Sequence, residues 1–171
     1  MLNRTGHQIM KMYRAPWGKS LIIVSAVLTI MGVGLTFVIA KEGGAYAWMF
    51  GCLPMLVIAG CLPFAVRGYG LTEDAIWIRR LFWTTRLDRA GLISAEYLPK
   101  AMNKSLRTCG NGGAFSFSGW YWSKSLGHYR AFVTDLNRTV VLRFAKRTAI
   151  VSPDAPEDFV KDLSGTHEPA G

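Results

Sequence analysis

From Ser20 to Val66 the chain carries only two charged side chains, the adjacent Lys41 and Glu42, and nothing else in it constrains the fold as strongly. An α-helix rises about 1.5 Å per residue, so about twenty apolar residues cross the roughly 30 Å hydrocarbon core of a bilayer. The runs Ser20–Ala40 and Gly43–Val66 both reach that length. They predict a two-helix transmembrane hairpin, with spans at about 20–40 and 45–66, behind a basic lead of residues 1–19. Neither span holds an ionisable side chain, which argues against an ion or proton pathway.

The formal net charge of +9 would suit a nucleic-acid partner, but its distribution follows the spans. Arg4, Lys11, Arg14 and Lys19 precede the first run, and Arg67, Arg79, Arg80, Arg86 and Arg89 follow the second. The connecting loop has one Lys and one Glu. Basic residues collect on the cytoplasmic side of short segments, so both termini are expected in the cytoplasm of a multi-pass inner-membrane protein. The positive excess then reflects orientation and attraction to anionic lipid, not nucleic acid. Ala45-Tyr46-Ala47 resembles a signal-cleavage site, yet the first apolar run exceeds the 7–15 residues of a signal core.

Gly32, Thr36 and Ala40 in the first run, and Ala47 and Gly51 in the second, have the four-residue spacing that lets helices approach closely in lipid. The second run repeats Cys-Leu-Pro at 52–54 and 61–63, and each proline should bend it. Cys52 and Cys61 fall on opposite helix faces and Cys109 stands alone, so no disulfide or metal pair is expected. In the basic lead, Ile9, Met10 and Tyr13 share a helical face, compatible either with a short interfacial helix ending before Pro16 or with a frayed anchor rich in positive charge.

Beyond Arg67 the period changes to two. Tyr69–Asp74 reads as a strand into a turn, and Ile76 and Ile78 alternate with Trp77 and Arg79 as in a half-buried strand. Phe82–Leu87 and Leu92–Leu98 follow as strands, and Lys100–Gly119 as a polar, glycine-rich stretch. Tyr129–Thr134 and Val140–Phe144 flank Asp135–Arg138 as an expected hairpin, with Thr148–Val151 as a last short strand. Ser152-Pro153-Asp154 introduces a capped terminal helix with Phe159, Val160 and Leu163 inward, and residues 164–171 read as a disordered tail.

Gly110-Asn111-Gly112-Gly113 is neither a Walker loop nor a dinucleotide fingerprint, because no Lys-Ser or Lys-Thr follows at the required spacing and the flanks are wrong. It reads as a turn needing positive φ. The next aromatics, Trp120, Tyr121 and Trp122 with Lys124 close behind, are either barrel aromatics or an interfacial loop. Lys100, Lys104 and Arg107, together with Arg79, Arg80 and Arg86, are the basic candidates for contact with lipid or a partner. His7, His128 and His167 are scattered and no HExxH or CxxC occurs, so no catalytic, cofactor-binding or metal-ligating residue is assigned.

Several short antiparallel strands closed by one helix is the order of a pleckstrin-homology-like (PH-like) barrel. Tyr69-x-Leu71-Thr72-x-x-x-Ile76-x-Ile78, a basic hairpin, and Leu87 to Ile93 resemble bacterial PH domains that follow membrane spans. Gly110-x-Gly112-Gly113-x-Phe115-x-Phe117-x-Gly119, Leu126-Gly127-x-Tyr129 and Ile150-x-Ser152-Pro153-Asp154-x-Pro156-x-x-Phe159 are similar to one such family. The resemblance spans residues 67–163. It implies an α+β membrane protein, a transmembrane hairpin followed by a PH-like antiparallel β-barrel closed by a C-terminal α-helix. The expected role is non-enzymatic: binding a protein partner or forming a homo-oligomer at the lipid bilayer, with anionic-lipid sensing or service as an accessory subunit of a membrane complex as alternatives.

Overall fold

A computed structural model describes residues 10–43 and 52–165. The chain enters as a strand, β1 (Lys11–Arg14), antiparallel to β2 (Val66–Leu71), with Tyr13 opposite Tyr69. This corrects the interfacial helix expected around Met10 and Tyr13; Ile9 lies outside the described residues. A helix this short is marginal alone, whereas the strand gains a ladder and a buried aromatic. The Tyr13 ring stands edge-on to Phe159 at 5.0 Å, and its hydroxyl donates to the Asp162 carboxylate, which also pairs with Lys11.

Helix α1 (Lys19–Glu42) has 24 residues, about 36 Å of rise. It is long and apolar enough to cross a membrane, and only 11% of its most apolar window is buried within the protein. Helix α2 (Leu53–Cys61) follows, then a 3₁₀ turn at Leu62–Phe64. α2 packs on α1 so closely that a methyl group at Gly32 would lie 2.5 Å from Ile58 Cδ1, the use expected of that small residue. The two-span hairpin is corrected to one span-length helix among the described residues. Pro54 starts α2 and Pro63 sits in the 3₁₀ turn, after which Val66 is already in a strand. Residues 44–51, with Ala47 and Gly51, lie outside the described part.

The strands form two sheets, not a closed barrel. Sheet 1 has the order β1-β2-β3-β4, with β3 at Ala75–Arg80 and β4 at Thr84–Asp88. Sheet 2 has the order β5-β9-β10-β8-β7-β6: β5 (Leu92–Tyr97), β6 (Leu106–Gly112), β7 (Phe117–Ser123), β8 (Gly127–Val133), β9 (Val140–Phe144) and β10 (Thr148–Val151). A 3₁₀ turn at Arg89–Gly91 carries the chain from one sheet to the other without a ladder between β4 and β5. The expected hairpin of β8 with β9 does not form either. β10 lies between them, antiparallel to β9 and parallel to β8. The link from Thr134 to Thr139 is occupied elsewhere: Thr134 and Leu136 carbonyls accept the amides of Gly18 and Lys100, and Thr139 Oγ1 accepts that of Ala101.

One core lies between the sheets and under α3 (Pro156–Ser164), built from Tyr69, Ile76, Ile78, Leu87, Phe132, Leu142, Phe159 and Leu163. A second lies on the far face of sheet 2, around Tyr121, Tyr129, Val133, Val141 and Ile150. Where both faces are covered, Ala131–Val133, Val140–Leu142 and Ala149–Val151 are buried, unbroken apolar runs. α3 begins with Pro156 at its first turn and buries Phe159 and Leu163, with Val160 half-buried. Ala155 holds the cap position without a side-chain bond, so the expected capping residue is corrected, and Asp154 instead accepts the Arg14 and Ala155 amides. Of the predicted tail, residues 166–171 lie outside the described part.

Candidate functional site at the foot of the helices

The glycine-rich stretch is a hairpin, β6 and β7, whose tip is locked to the base of α1. Gly113 at the tip has φ +125°, as the turn requires, and Gly110 has φ +109° within β6 itself. Asn111 closes the tip by accepting the Ala114 amide and donating to the Ala114 carbonyl. Ser25, 6% exposed on α1, donates to the Gly113 carbonyl (3.2 Å) and accepts the Phe115 amide (3.0 Å). Ser116 Oγ donates to the Phe64 carbonyl after α2 at 2.9 Å, and the Gly18 amide donates to the Thr134 carbonyl at 2.9 Å. The rings of Trp17 and Phe115 meet at 6.2 Å, and Leu21 is fully buried. The β domain is therefore seated on the helices rather than tethered to them.

Where the sheets fail to close, a cavity of about 280 Å³ opens between the end of α2 and the inner face of β6, β7 and β8. Gly110 and Gly119 form its floor; they face each other in the ladder, and a methyl at Gly119 would meet the Cys109 carbonyl at 2.3 Å. Its walls are Gly60, Cys61, Phe64 and Trp120. Two arginines line it. Arg80 continues the inward register of Ile76 and Ile78 on β3, and Arg130 the inward register of Phe132 on β8. Arg80 is 9% exposed and stacks near Phe64, Trp83 and Phe132 (5.9, 5.4 and 5.1 Å). Arg130 stacks near Trp120 and Phe132 (5.8 and 5.0 Å). Burial, and then the neighbouring Arg130 charge, hold the Arg80 pKa below its ordinary value.

The other predicted residues disperse. Arg79 is exposed and, with Arg14, Arg67 and Arg80, lines a groove of about 410 Å³ where the chain enters and leaves the helices. Arg86 is neutralised by Asp74 (2.9 Å) and Asp88 (3.0 Å) and lies over Trp77. Lys100 and Lys104 are exposed at positive φ, 59° and 57°, in the loop before β6, and Lys124 is exposed in the β7–β8 turn. Arg107, exposed on β6, lies along Gly112. The aromatic triplet divides by strand alternation. Tyr121 is buried, stacked on Tyr129 at 5.9 Å with its hydroxyl donating to the Asn111 carbonyl; Trp120 is 49% exposed at the cavity and Trp122 half-buried. Arg130, Arg14 and Arg67 were missed as site residues. Arg130 could have been found, since it shares the inward period of Phe132. The three cysteines are free, and no group of three or more His, Cys, Asp or Glu that could hold a metal occurs among the described residues.

The family model described as "Bacterial PH domain" matches residues 67–166, more than half of the chain. The chain belongs to the bacterial PH domain family. No curated protein and no solved structure matched it. The PH domain thus begins in β2 and ends with α3, while β1 and both helices precede the matched region. Sheet 1 of this PH domain is completed by β1, a strand contributed from before the apolar helices. That pairing, and the Ser25 seat, bind the PH domain to its N-terminal segment at two separated points.

Proposed function

We propose that the chain is a non-enzymatic inner-membrane protein whose PH domain faces the cytoplasm and docks a protein partner, or a second copy, at the membrane surface. The observation that carries this reading is the outer edge of β6. It is seven residues long and ends sheet 2, with every residue but Asn111 exposed. An unpaired edge offers a row of N–H and C=O groups to an incoming strand, and side-chain pockets add selectivity. The seat on α1 fixes this edge at one height and angle above the bilayer, which lowers the entropy lost when a partner docks.

The membrane placement is supported by α1, apolar all round and exposed over most of its length. The groove lined by Arg14, Arg67 and Arg79 supports the orientation, because basic side chains at the helix feet belong on the cytoplasmic side and attract anionic headgroups. A photo-crosslinking residue at Thr108 on β6 tests the docking edge in native membranes, with Ala90 as the control. Discrete adducts from Thr108 alone are expected, at the mass of a dimer if the partner is a copy. Adducts from neither position, or equally from both, would sink the β6 reading. A reporter fused after Gly171 tests orientation: signal from outside the cytoplasm contradicts it.

A further inference from the structure

We propose that the cavity beneath α2 is a binding site for a phosphate-type oxyanion, held between the guanidinium groups of Arg80 and Arg130. Their positions are unlike those of surface arginines. Each occupies the inward register of its strand, one from each sheet, and both lie about 5 Å from the centroid of the same buried ring, Phe132. Arg80 is nine-tenths buried, its Nε has no hydrogen-bond partner, and it makes no ion pair among the described residues. Among the described residues no acidic side chain lines the cavity. Buried charges are ordinarily paired, and a single unpaired one is costly. Here two like charges converge, and the described residues supply no counter-charge.

An anion entering between them would pair both at once. Guanidinium presents planar, paired donors that match the oxygens of a phosphate, and such charge-assisted bonds are about twice as strong as neutral ones. The volume, about 280 Å³, is several times the roughly 30 Å³ share of one water, so a phosphate ester with an organic substituent fits as well as a bare ion. The remaining walls favour the ester. Phe64 and Cys61 belong to the apolar segment packed along α1, so an acyl chain leaving the headgroup would pass from the cavity onto the helices. This lipid source rests on the membrane reading of α1; the oxyanion site itself does not.

The test uses the full chain in phosphatidylcholine nanodiscs, with and without phosphatidylglycerol, both carrying brominated acyl chains. Trp120 lines the site, and quenching that disappears in Trp120→Phe reports it. Saturable quenching of Trp120 is expected with phosphatidylglycerol, at least tenfold stronger than with phosphatidylcholine and displaced by inorganic phosphate. Arg130→Gln should weaken it about tenfold or more. Arg130 is half-buried, so this variant tests the site even if Arg80→Gln does not fold. Phosphate binding to Trp120-reporting protein without lipid preference would uphold the oxyanion site and remove lipid as its source. Equal quenching by both lipids with no response to phosphate, or a preference unchanged in Arg130→Gln, would overturn the site.

Discussion

Ser25→Ala tests the seat between helix and domain with one lost oxygen atom. The hydroxyl serves two backbone groups, the Gly113 carbonyl at 3.2 Å and the Phe115 amide at 3.0 Å, in a place where Ser25 is 6% exposed. Leaving a buried donor or acceptor unpaired costs about 1–3 kcal/mol each, so with two groups affected the tip of the β6–β7 hairpin should lose at least about 2 kcal/mol of local stability. Alanine is the best helix former, so α1 itself is undisturbed. At about 1.4 kcal/mol per tenfold, local opening rises about 30-fold or more. Hydrogen exchange of the full chain in nanodiscs reads this directly: amides 111–116 should exchange faster while those of β9 and β10 keep their protection. Unchanged exchange at the tip would refute the seat. Equal acceleration in β9 and β10 would show that the hydroxyl serves global folding instead.

Other perturbations probe the body of the domain. Tyr69 Oη donates to the Phe132 carbonyl at 2.6 Å and accepts the Ser152 amide at 3.1 Å, and burial pushes its pKa up to about 12. A pKa raised from its ordinary value near 10 means stability is complete below pH 10 and lost as pH rises towards 12, by about 2–3 kcal/mol. Tyr69→Phe should lower Tm by roughly 5 °C or more at neutral pH and shrink this alkaline loss; an unchanged Tm would contradict the network. Arg89 donates to the Thr72 and Leu163 carbonyls, both at 2.9 Å, so Arg89→Met should destabilise the chain by about 2–3 kcal/mol and speed exchange in α3 first; denaturant melts coinciding with wild type would rule this out. Gly119 has φ +150° and no room for a methyl, whereas Gly91 has nothing within 4 Å. Gly119→Ala should cost at least about 1–3 kcal/mol and Gly91→Ala little, and equal melting of the two variants would contradict the close approach of β6 and β7.

What the chain disclosed in advance was what depends on neighbours in sequence. α1 is legible because an apolar run of its length has few alternatives, and β3 because Ile76 and Ile78 alternate cleanly. α3 is legible from Pro156, Phe159 and Leu163. Long-range partners were hidden. β1 is four residues long, and its ladder partner lies beyond both apolar runs, so Lys11–Arg14 carries no signal of its own. β10 separates β8 from β9 because a parallel pairing of Ala149 with Arg130 competes with the shorter connection, and local propensity cannot weigh that. The site was half readable. Arg79, Arg80 and Arg86 look alike as a basic hairpin, yet the two-residue period already sends Arg80 inward with Ile78 while Arg79 faces solvent. The cavity that gives Arg80 its meaning exists only because the two sheets do not close, and no motif encodes that.

The fixed placement of the PH domain on α1 is tested most directly by a distance distribution. Spin labels placed at Ile93, an exposed side chain of β5, and at Val33, on the outward face of α1, can be measured by pulsed electron resonance in nanodiscs after the native cysteines are replaced. Ties through Ser25, Ser116 and Gly18 predict one narrow distribution, which broadens in Ser25→Ala. A broad distribution in the wild-type protein, unaltered by Ser25→Ala, would mean a domain swinging freely on its helices and would contradict the seat.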